Sequence, residues 1–175
     1  MLDFYLELFC WGLDMRKKTI EDYVEMIYIL QNKDEKVHTN NIASALDINP
    51  ASVTEIFQKL SDEGYIDYEK YSGVTLTQKG KKIAISTKKK HDTLKNFLTI
   101  LGIDKKIANA DACKIEHVVN SKTMERLTKF VEFVHQKKEG SKWIDHFKYF
   151  YETGEYVECN PLNEKKCPVH GSKQQ

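Results

Sequence analysis

The feature that most constrains this chain is a change of hydrophobic period near Gly64. Before it, apolar residues recur at helical spacing in two short segments, and after it they alternate in two runs joined at Ser72-Gly73. The helical segments are 39–46 and 50–63, and the alternating runs are 65–69 and 74–77. Helix, turn, helix and hairpin in this order predict a winged helix-turn-helix.

Helices are predicted on both sides of this unit. One begins at Thr19, where Thr19 and Asp22 form a possible capping pair. A long basic helix, capped by Thr77, follows the hairpin, and three more are expected at about 104–119, 121–138 and 143–151. The predicted fold is therefore mainly α, with an N-terminal extension (1–18), a winged helix-turn-helix domain (19–78), an all-helical domain (79–153) and a tail (154–175).

Composition narrows the class of protein. With 41% hydrophobic and 30% charged residues, the 175-residue chain has a globular composition, and its net charge of +1 does not decide for or against nucleic acid. No apolar stretch is long enough for a transmembrane helix, and the apolar first eleven residues are acidic, which disfavours a secretory signal. The four irregularly spaced cysteines favour reduced thiols in a cytoplasmic chain.

The segment from Pro50 is the expected recognition helix, with its N-terminal turns entering the major groove of double-stranded operator DNA. Glu55 would repel phosphate but can accept a hydrogen bond from cytosine N4. A solvated helix face is the alternative, which the adjoining hairpin disfavours. The predicted DNA contacts, including Thr39 before this helix and the wing tip after it, are Thr39, Asn49, Ala51, Ser52, Thr54, Glu55, Gln58, Lys59, Lys70 and Tyr71.

Metal-ligand side chains occur at helical spacing. Cys113, Glu116 and His117 are three and four residues apart, so one helical face would carry a thiolate, a carboxylate and an imidazole. Asp22 and Glu25 are again three apart, and His91 lies in the long basic helix. Each residue has a simpler alternative as a core cysteine, a surface histidine or a first-turn acid, so spacing alone leaves metal binding open.

Several longer strings resemble the diphtheria toxin repressor and manganese transport regulator family, in order, from about Thr19 to Phe130. They include 21–28, 42–46, 50–54, 68–71, 76–80 and 111–117. The resemblance implies a homodimeric transcriptional repressor activated by Fe(II) or Mn(II), with dimer contacts through the helices after the wing. It places the metal ligands at Asp22, Glu25, His91, Cys113, Glu116 and His117.

The predicted ligand set matches neither branch of that family completely, because two of its positions match different branches. Asp22 matches the manganese branch, where the iron branch has methionine, whereas Cys113 matches the iron branch, where the manganese branch has glutamate. The thiolate favours Fe(II), with Zn(II) or Co(II) possible, and the carboxylates favour Mn(II), so we expect Fe(II) first and Mn(II) next. Lys95 and Asn109 replace an ancillary-site glutamate and histidine, so we expect no such site, and no third, Src-homology-like domain.

Cys159, Cys167 and His170 could form a further thiolate-rich site, but their loose spacing equally fits a flexible or turn-forming C-terminus.

Clustered acidic ligands would repel one another or take up protons, so a divalent cation is expected to draw them together and order the DNA-binding unit. A metal-independent winged-helix regulator is the competing hypothesis. An enzyme is not expected, because the sequence does not supply a base, an oxyanion hole and a substrate pocket together.

Overall fold

The computed structural model describes residues 2–31, 37–136, 142–157 and 167–169, with side chains from residue 16 onward. Over these residues the chain forms seven helices and one two-stranded antiparallel sheet. In chain order they are α1 (Leu2–Gln31), α2 (Thr39–Leu46), α3 (Pro50–Asp62), β1 (Ile66–Glu69), β2 (Gly73–Leu76), α4 (Gln78–Ile100), α5 (Lys105–Ile115), α6 (Ser121–Gln136) and α7 (Lys142–Thr153). This order confirms the predicted mainly α fold with a winged helix-turn-helix first.

The chain divides into two compact units. The first unit contains the residues up to His91 together with Glu116–Val118, and the second contains 92–115 and 119–175. A three-residue segment far along the chain thus belongs to the unit that carries the winged helix.

Phe57 on α3 lies at the centre of the first unit's core and is fully buried. The ring of Tyr23 on α1 meets it edge-on at 6.3 Å, and that of Tyr68 on β1 at 5.2 Å. Such aromatic pairs contribute about 0.5–1.5 kcal/mol each beyond their buried area. The core residues around Phe57 are Tyr23, Ile27, Val37, Ile42, Ala43, Val53, Leu60, Ile66 and Val74. The recognition helix is therefore held against α1 and the hairpin.

The hairpin pairs Ile66 with Leu76 and Glu69 with Gly73, and its tip occupies residues 70–72. The predicted turn at Ser72-Gly73 is thus displaced slightly, because Gly73 already belongs to β2. With a φ of 102° and only 2.8 Å between its ideal Cβ position and the carbonyl oxygen of Val37, Gly73 cannot carry a side chain without strain. This close approach lets Val37 extend the hairpin.

Thr77 caps α4 as predicted. Its Oγ1 lies 2.8 Å from the carbonyl oxygen of Gly64 and 3.0 Å from that of Tyr65, and it accepts a hydrogen bond from Gly80 N at 3.2 Å. A Cβ on Gly80 would lie 2.0 Å from Tyr65 O, so only glycine allows α4 to begin this close to the hairpin.

Two predicted helix boundaries were wrong. Helix α1 begins at Leu2 rather than Thr19, because no proline interrupts the helix-forming run before it. Helix α2 spans the predicted residues, and the backbone N–H of its N-cap, His38, donates to Asn41 Oδ1 at 2.8 Å. Helix α5 ends at Ile115 instead of continuing to about Val119.

The second unit has its own small core, in which Leu94 of α4, Ala112 of α5 and Met124 of α6 are buried together. Three aromatic side chains of this unit also pack edge-on against one another. The ring centroids of Phe97 and Phe130 are 5.8 Å apart, and those of Phe130 and Trp143 are 5.9 Å apart. In the part of the chain that the structure describes, none of the helices is both long and apolar enough to cross a membrane.

Candidate metal centre

Five of the six predicted metal ligands lie together in the first unit. Two carboxylates come from α1, one imidazole from α4, and a carboxylate and an imidazole from the turn at 116–118. They are Asp22, Glu25, His91, Glu116 and His117. We call these five residues the sensor cluster.

The last two do not share a helical face with Cys113, contrary to the sequence-based prediction. Helix α5 has ended at Ile115, and the chain then turns to start α6, where Asn120 Oδ1 accepts a hydrogen bond from Lys122 N at 2.9 Å. An asparagine in this position favours a new helix start over continuation of the old one. Glu116 and His117 therefore reach the sensor cluster from a turn.

Glu116 joins two groups of ligand atoms, each with all its atoms within 4.8 Å of one another. In the first group, His117 Nε2 lies 2.9 Å from Asp22 Oδ1 and 3.3 Å from Glu116 Oε1. In the second, which also contains Glu25, His91 Nδ1 lies 2.8 Å from Glu116 Oε2. The two oxygens of one carboxylate thus face different groups, as in a carboxylate that bridges two cation positions.

Two atoms of the first group, Glu116 Oε1 and His117 Nε2, are buried and make no well-directed hydrogen bond among the described residues, although His117 Nε2 lies 2.9 Å from Asp22 Oδ1. Glu116 is only 1% exposed. Buried polar atoms without partners are rare because they cost about 1–3 kcal/mol each. A carboxylate oxygen and an imidazole nitrogen aimed at one place fit a first-row divalent cation, which would satisfy both.

The protonation of the sensor cluster reflects its crowded acids. Burial, reinforced by the charge of Glu116, raises the pKa of Glu25 to about 7. Burial by itself would lower the pKa of His117, but the adjacent carboxylates of Asp22 and Glu21 outweigh it and raise this pKa to about 9. Without a cation, protons therefore balance the negative charge here.

Glu21 is a buried member of this region that sequence reasoning missed. Its Oε2 lies 2.8 Å from His117 Nδ1, and its Oε1 lies 3.9 Å from Lys90 Nζ. Burial would raise the pKa of Glu21, but the hydrogen bond with His117 and the charge of Lys90 lower it overall. Its position four residues before Glu25, on the same face of α1, was the available signal.

Cys113 lies exposed on α5, in the second unit, and belongs to neither group. Its role as a metal ligand stays a prediction.

The predicted DNA contacts on α3 are all exposed, as are Lys70 and Tyr71 at the wing tip, whereas Thr39 is half-buried. A concave surface of about 370 Å³ lies between the start of α2, the first turn of α3 and the wing. It brings together five of the ten predicted contacts and adds five residues that were not among them. The lining consists of His38, Thr39, Asn40, Pro50, Ala51, Thr54, Tyr68, Lys70, Tyr71 and Gly73.

Polar side chains along α3 are held by local hydrogen bonds. Asn49 Oδ1 accepts from Ala51 N at 2.8 Å and so caps the helix, while Thr54 Oγ1 donates to Pro50 O at 3.0 Å. The Asn49 amide nitrogen remains able to donate outward. DNA contact by these residues stays a prediction.

Comparison with known proteins decides the family. The model of the iron-dependent repressor N-terminal DNA-binding domain matches residues 15–74, and that of the metal-binding and dimerisation domain matches residues 77–145. The chain belongs to the iron-dependent repressor family. Both halves of the family architecture are present, and the winged helix falls in the DNA-binding half.

Similar proteins include regulators from archaea and bacteria. An uncharacterized HTH-type transcriptional regulator of Methanocaldococcus jannaschii is 42% identical over 117 residues, covering 66% of this chain and 94% of that protein. The HTH-type transcriptional regulator MntR of Bacillus pumilus is 38% identical over 127 residues, covering 73% of this chain and 88% of that one.

Among solved structures, the manganese regulator SloR matches with a TM-score of 0.58 and 33% identity over 65% of this chain. The match covers 54% of the SloR chain, so this iron-dependent repressor family member spans about half the length of that regulator.

Proposed function

We propose that this chain is a metal-dependent transcriptional repressor in which a divalent cation bound by the sensor cluster switches on operator binding. The observation that carries this proposal is a pair of buried atoms, Glu116 Oε1 and His117 Nε2, which lie 3.3 Å apart and beside Asp22 and make no well-directed hydrogen bond among the described residues. A metal-independent winged-helix regulator would have no use for such an arrangement, because it costs folding free energy.

Helix α1 links the cation to DNA within the first unit. Asp22 and Glu25 face the sensor cluster, while Tyr23 and Ile27 of the same helix pack in the core that contains Phe57 of α3. A cation that fixes the α1 carboxylates therefore also restricts the helix against which the recognition helix packs. Binding energy available only in the ordered state shifts the population towards it.

The metal preference follows from the donor atoms. Three carboxylates and two imidazoles suit Mn(II) and Fe(II), and the thiolate of Cys113, if it joins them, favours Fe(II) and admits Zn(II) or Co(II). We therefore place Fe(II) first and Mn(II) next. The similarity to the manganese regulator SloR supports a divalent metal of this class.

The functional form is a cytoplasmic homodimer that assembles through the helices after the wing. The match to a metal-binding and dimerisation domain over 77–145 supports this assembly. In a dimer, two recognition helices can read successive major-groove faces about 34–36 Å apart. The concave surface between α2, α3 and the wing would receive the DNA backbone, with Lys70 near phosphate.

The test uses duplexes selected from a random pool by the full chain in the presence of Mn(II). Fluorescence anisotropy then measures the affinity for a selected duplex with Mn(II), with anaerobic Fe(II), and with chelator. We expect both metals to strengthen binding and the Glu116→Gln variant to lose the response. Glu125→Gln, at an exposed position on α6, is the matched control. Equal affinity in metal and in chelator would contradict the proposal.

A further inference from the structure

Two side chains of the types that bind metals, a cysteine and a histidine, lie together in the second unit. Cys167 Sγ is 3.4 Å from His146 Nε2, although the two residues are 21 positions apart. His146 belongs to α7, and Cys167 is only 6% exposed. Neither residue belongs to the sensor cluster, which lies in the first unit.

The distance fits two ligands on one tetrahedral ion. With Zn–S of about 2.3 Å and Zn–N of about 2.0–2.1 Å, a tetrahedral angle separates sulfur from nitrogen by about 3.6 Å. The observed 3.4 Å is close to this value, and it separates the thiol sulfur from Nε2, one of the two imidazole nitrogens that bind metals. An S–H···N hydrogen bond without metal is the alternative that must be distinguished.

The donor types differ from those of the sensor cluster. Its described members offer only carboxylate oxygen and imidazole nitrogen. A thiolate with an imidazole instead selects a softer cation, and Zn(II) is the usual one in structural sites. The two sets of ligands therefore favour different metals.

The surrounding sequence is rich in ligand-type residues. Cys167-Pro168-Val169-His170 places a histidine three residues after the cysteine, and Cys159 precedes it by eight. Cys159 and His170 lie outside the described residues, whereas the contact between Cys167 and His146 lies within them. Short spacing of this kind is nevertheless typical of zinc ligands in small loops.

We propose that Cys167 and His146 are ligands of a second, structural metal site of the Zn(II) class, separate from the sensor cluster. The ion would anchor the segment 167–169 to α7, because it joins a residue of each. Such a site contributes folding free energy and does not need to exchange its metal for the chain to respond to Fe(II) or Mn(II).

The test uses the full chain carrying Cys113→Ser, so that the Cys113 thiolate does not contribute to the signal. Co(II) added to this chain should produce thiolate-to-metal charge-transfer absorption and intense tetrahedral d–d bands. Adding Cys167→Ser or His146→Gln should abolish or strongly weaken both features. The content of tightly bound Zn(II) should then fall by about one equivalent per subunit.

Two further measurements keep the proposal falsifiable if a variant folds poorly. X-ray absorption of the Zn(II)-loaded Cys113→Ser chain should show a sulfur ligand at about 2.3 Å. Mn(II) titration of the Cys167→Ser variant should give the parental sensor affinity, because the sensor cluster is untouched. Unchanged Co(II) spectra in both variants, or a zinc shell without sulfur, would overturn the proposal and leave the thiol–imidazole contact as a hydrogen bond.

Discussion

The Nδ1 atom of His117 lies 2.8 Å from Oε2 of Glu21, and this contact determines which ring nitrogen faces the sensor cluster. A carboxylate that accepts the Nδ1–H leaves Nε2 available to bind a metal, and Nε2 lies 2.9 Å from Asp22 Oδ1 and 3.3 Å from Glu116 Oε1. Glu21 thus orients a ligand without itself belonging to either ligand group.

Replacing Glu21 by leucine should weaken Mn(II) binding about 10–100-fold, in the range usual for loss of an outer carboxylate. Glu21→Gln should lose less, since its amide oxygen can still accept the Nδ1–H. Competition with a fluorescent metal indicator measures both affinities. A purely structural role would lower thermal stability in chelator and leave the Mn(II) affinity of the folded variant unchanged.

Metal binding should release protons and strengthen as the pH rises from about 6 to about 9. Glu25, with a pKa raised to about 7, and His117, with a pKa raised to about 9, must both lose protons to serve as ligands. Calorimetry in buffers of different ionisation enthalpy counts the released protons. A Kd for Mn(II) that is constant across this range would contradict the expectation.

Stability without metal should depend on pH in the opposite sense. Each raised pKa means that the folded state holds its proton more tightly than the unfolded state. The contribution of Glu25 is complete below about pH 4.5 and lost as the pH rises through about 7. The contribution of His117 is complete below about pH 6.5 and is lost as the pH rises through about 9. Thermal unfolding in chelator should therefore show a falling midpoint over this range, which saturating Mn(II) reverses.

Sharing of Glu116 by two ligand groups predicts two cation positions in the sensor cluster. Asp22→Asn should weaken only the group that contains His117, and Glu25→Gln only the group that contains His91, whereas Glu116→Gln should weaken both. Native mass spectrometry in Mn(II) gives the number of ions per subunit. A single ion that each variant weakens equally would show that the two groups form one site.

Cys113 can be tested as a ligand by changing its donor atom. If its thiolate joins the sensor cluster, Cys113→Glu should shift the preference from Fe(II) towards Mn(II), because a harder oxygen replaces sulfur. Anaerobic titration of the wild type and the variant with each metal measures the ratio of affinities. Asp111→Glu, on the same helix, is the control for added side-chain length, and an unchanged ratio would remove Cys113 from the ligand set.

Gly80→Ala should destabilise the first unit by about 1–3 kcal/mol, the usual cost of forcing an extra carbon into a packed contact. The added Cβ would collide with the carbonyl oxygen of Tyr65, which is backbone and cannot easily move. Chemical denaturation in chelator measures the loss. Lys81→Ala, exposed on the next position of α4, should change the free energy of unfolding little.

Local pattern predicted the winged helix well, because helical spacing, the cap at Thr77 and the hairpin alternation all act over a few residues. The resemblance placed the ligand-type residues, but spacing alone put Glu116 and His117 on the wrong kind of element. The end of α5 coincides with the cap that Asn120 gives to the next helix. The significance of Glu21 appears only when His117, 96 positions away, lies beside it.

The hydrogen bond between Glu21 and His117 joins residues 96 positions apart. During synthesis the winged helix emerges long before this partner does, and N-terminal domains generally fold first. A nascent chain can therefore form its winged helix before Glu116 and His117 have been added. If these two residues bind the metal as proposed, response to metal begins only when the segment 116–118 has left the ribosome and packed into the first unit, which makes the switch a property of finished molecules.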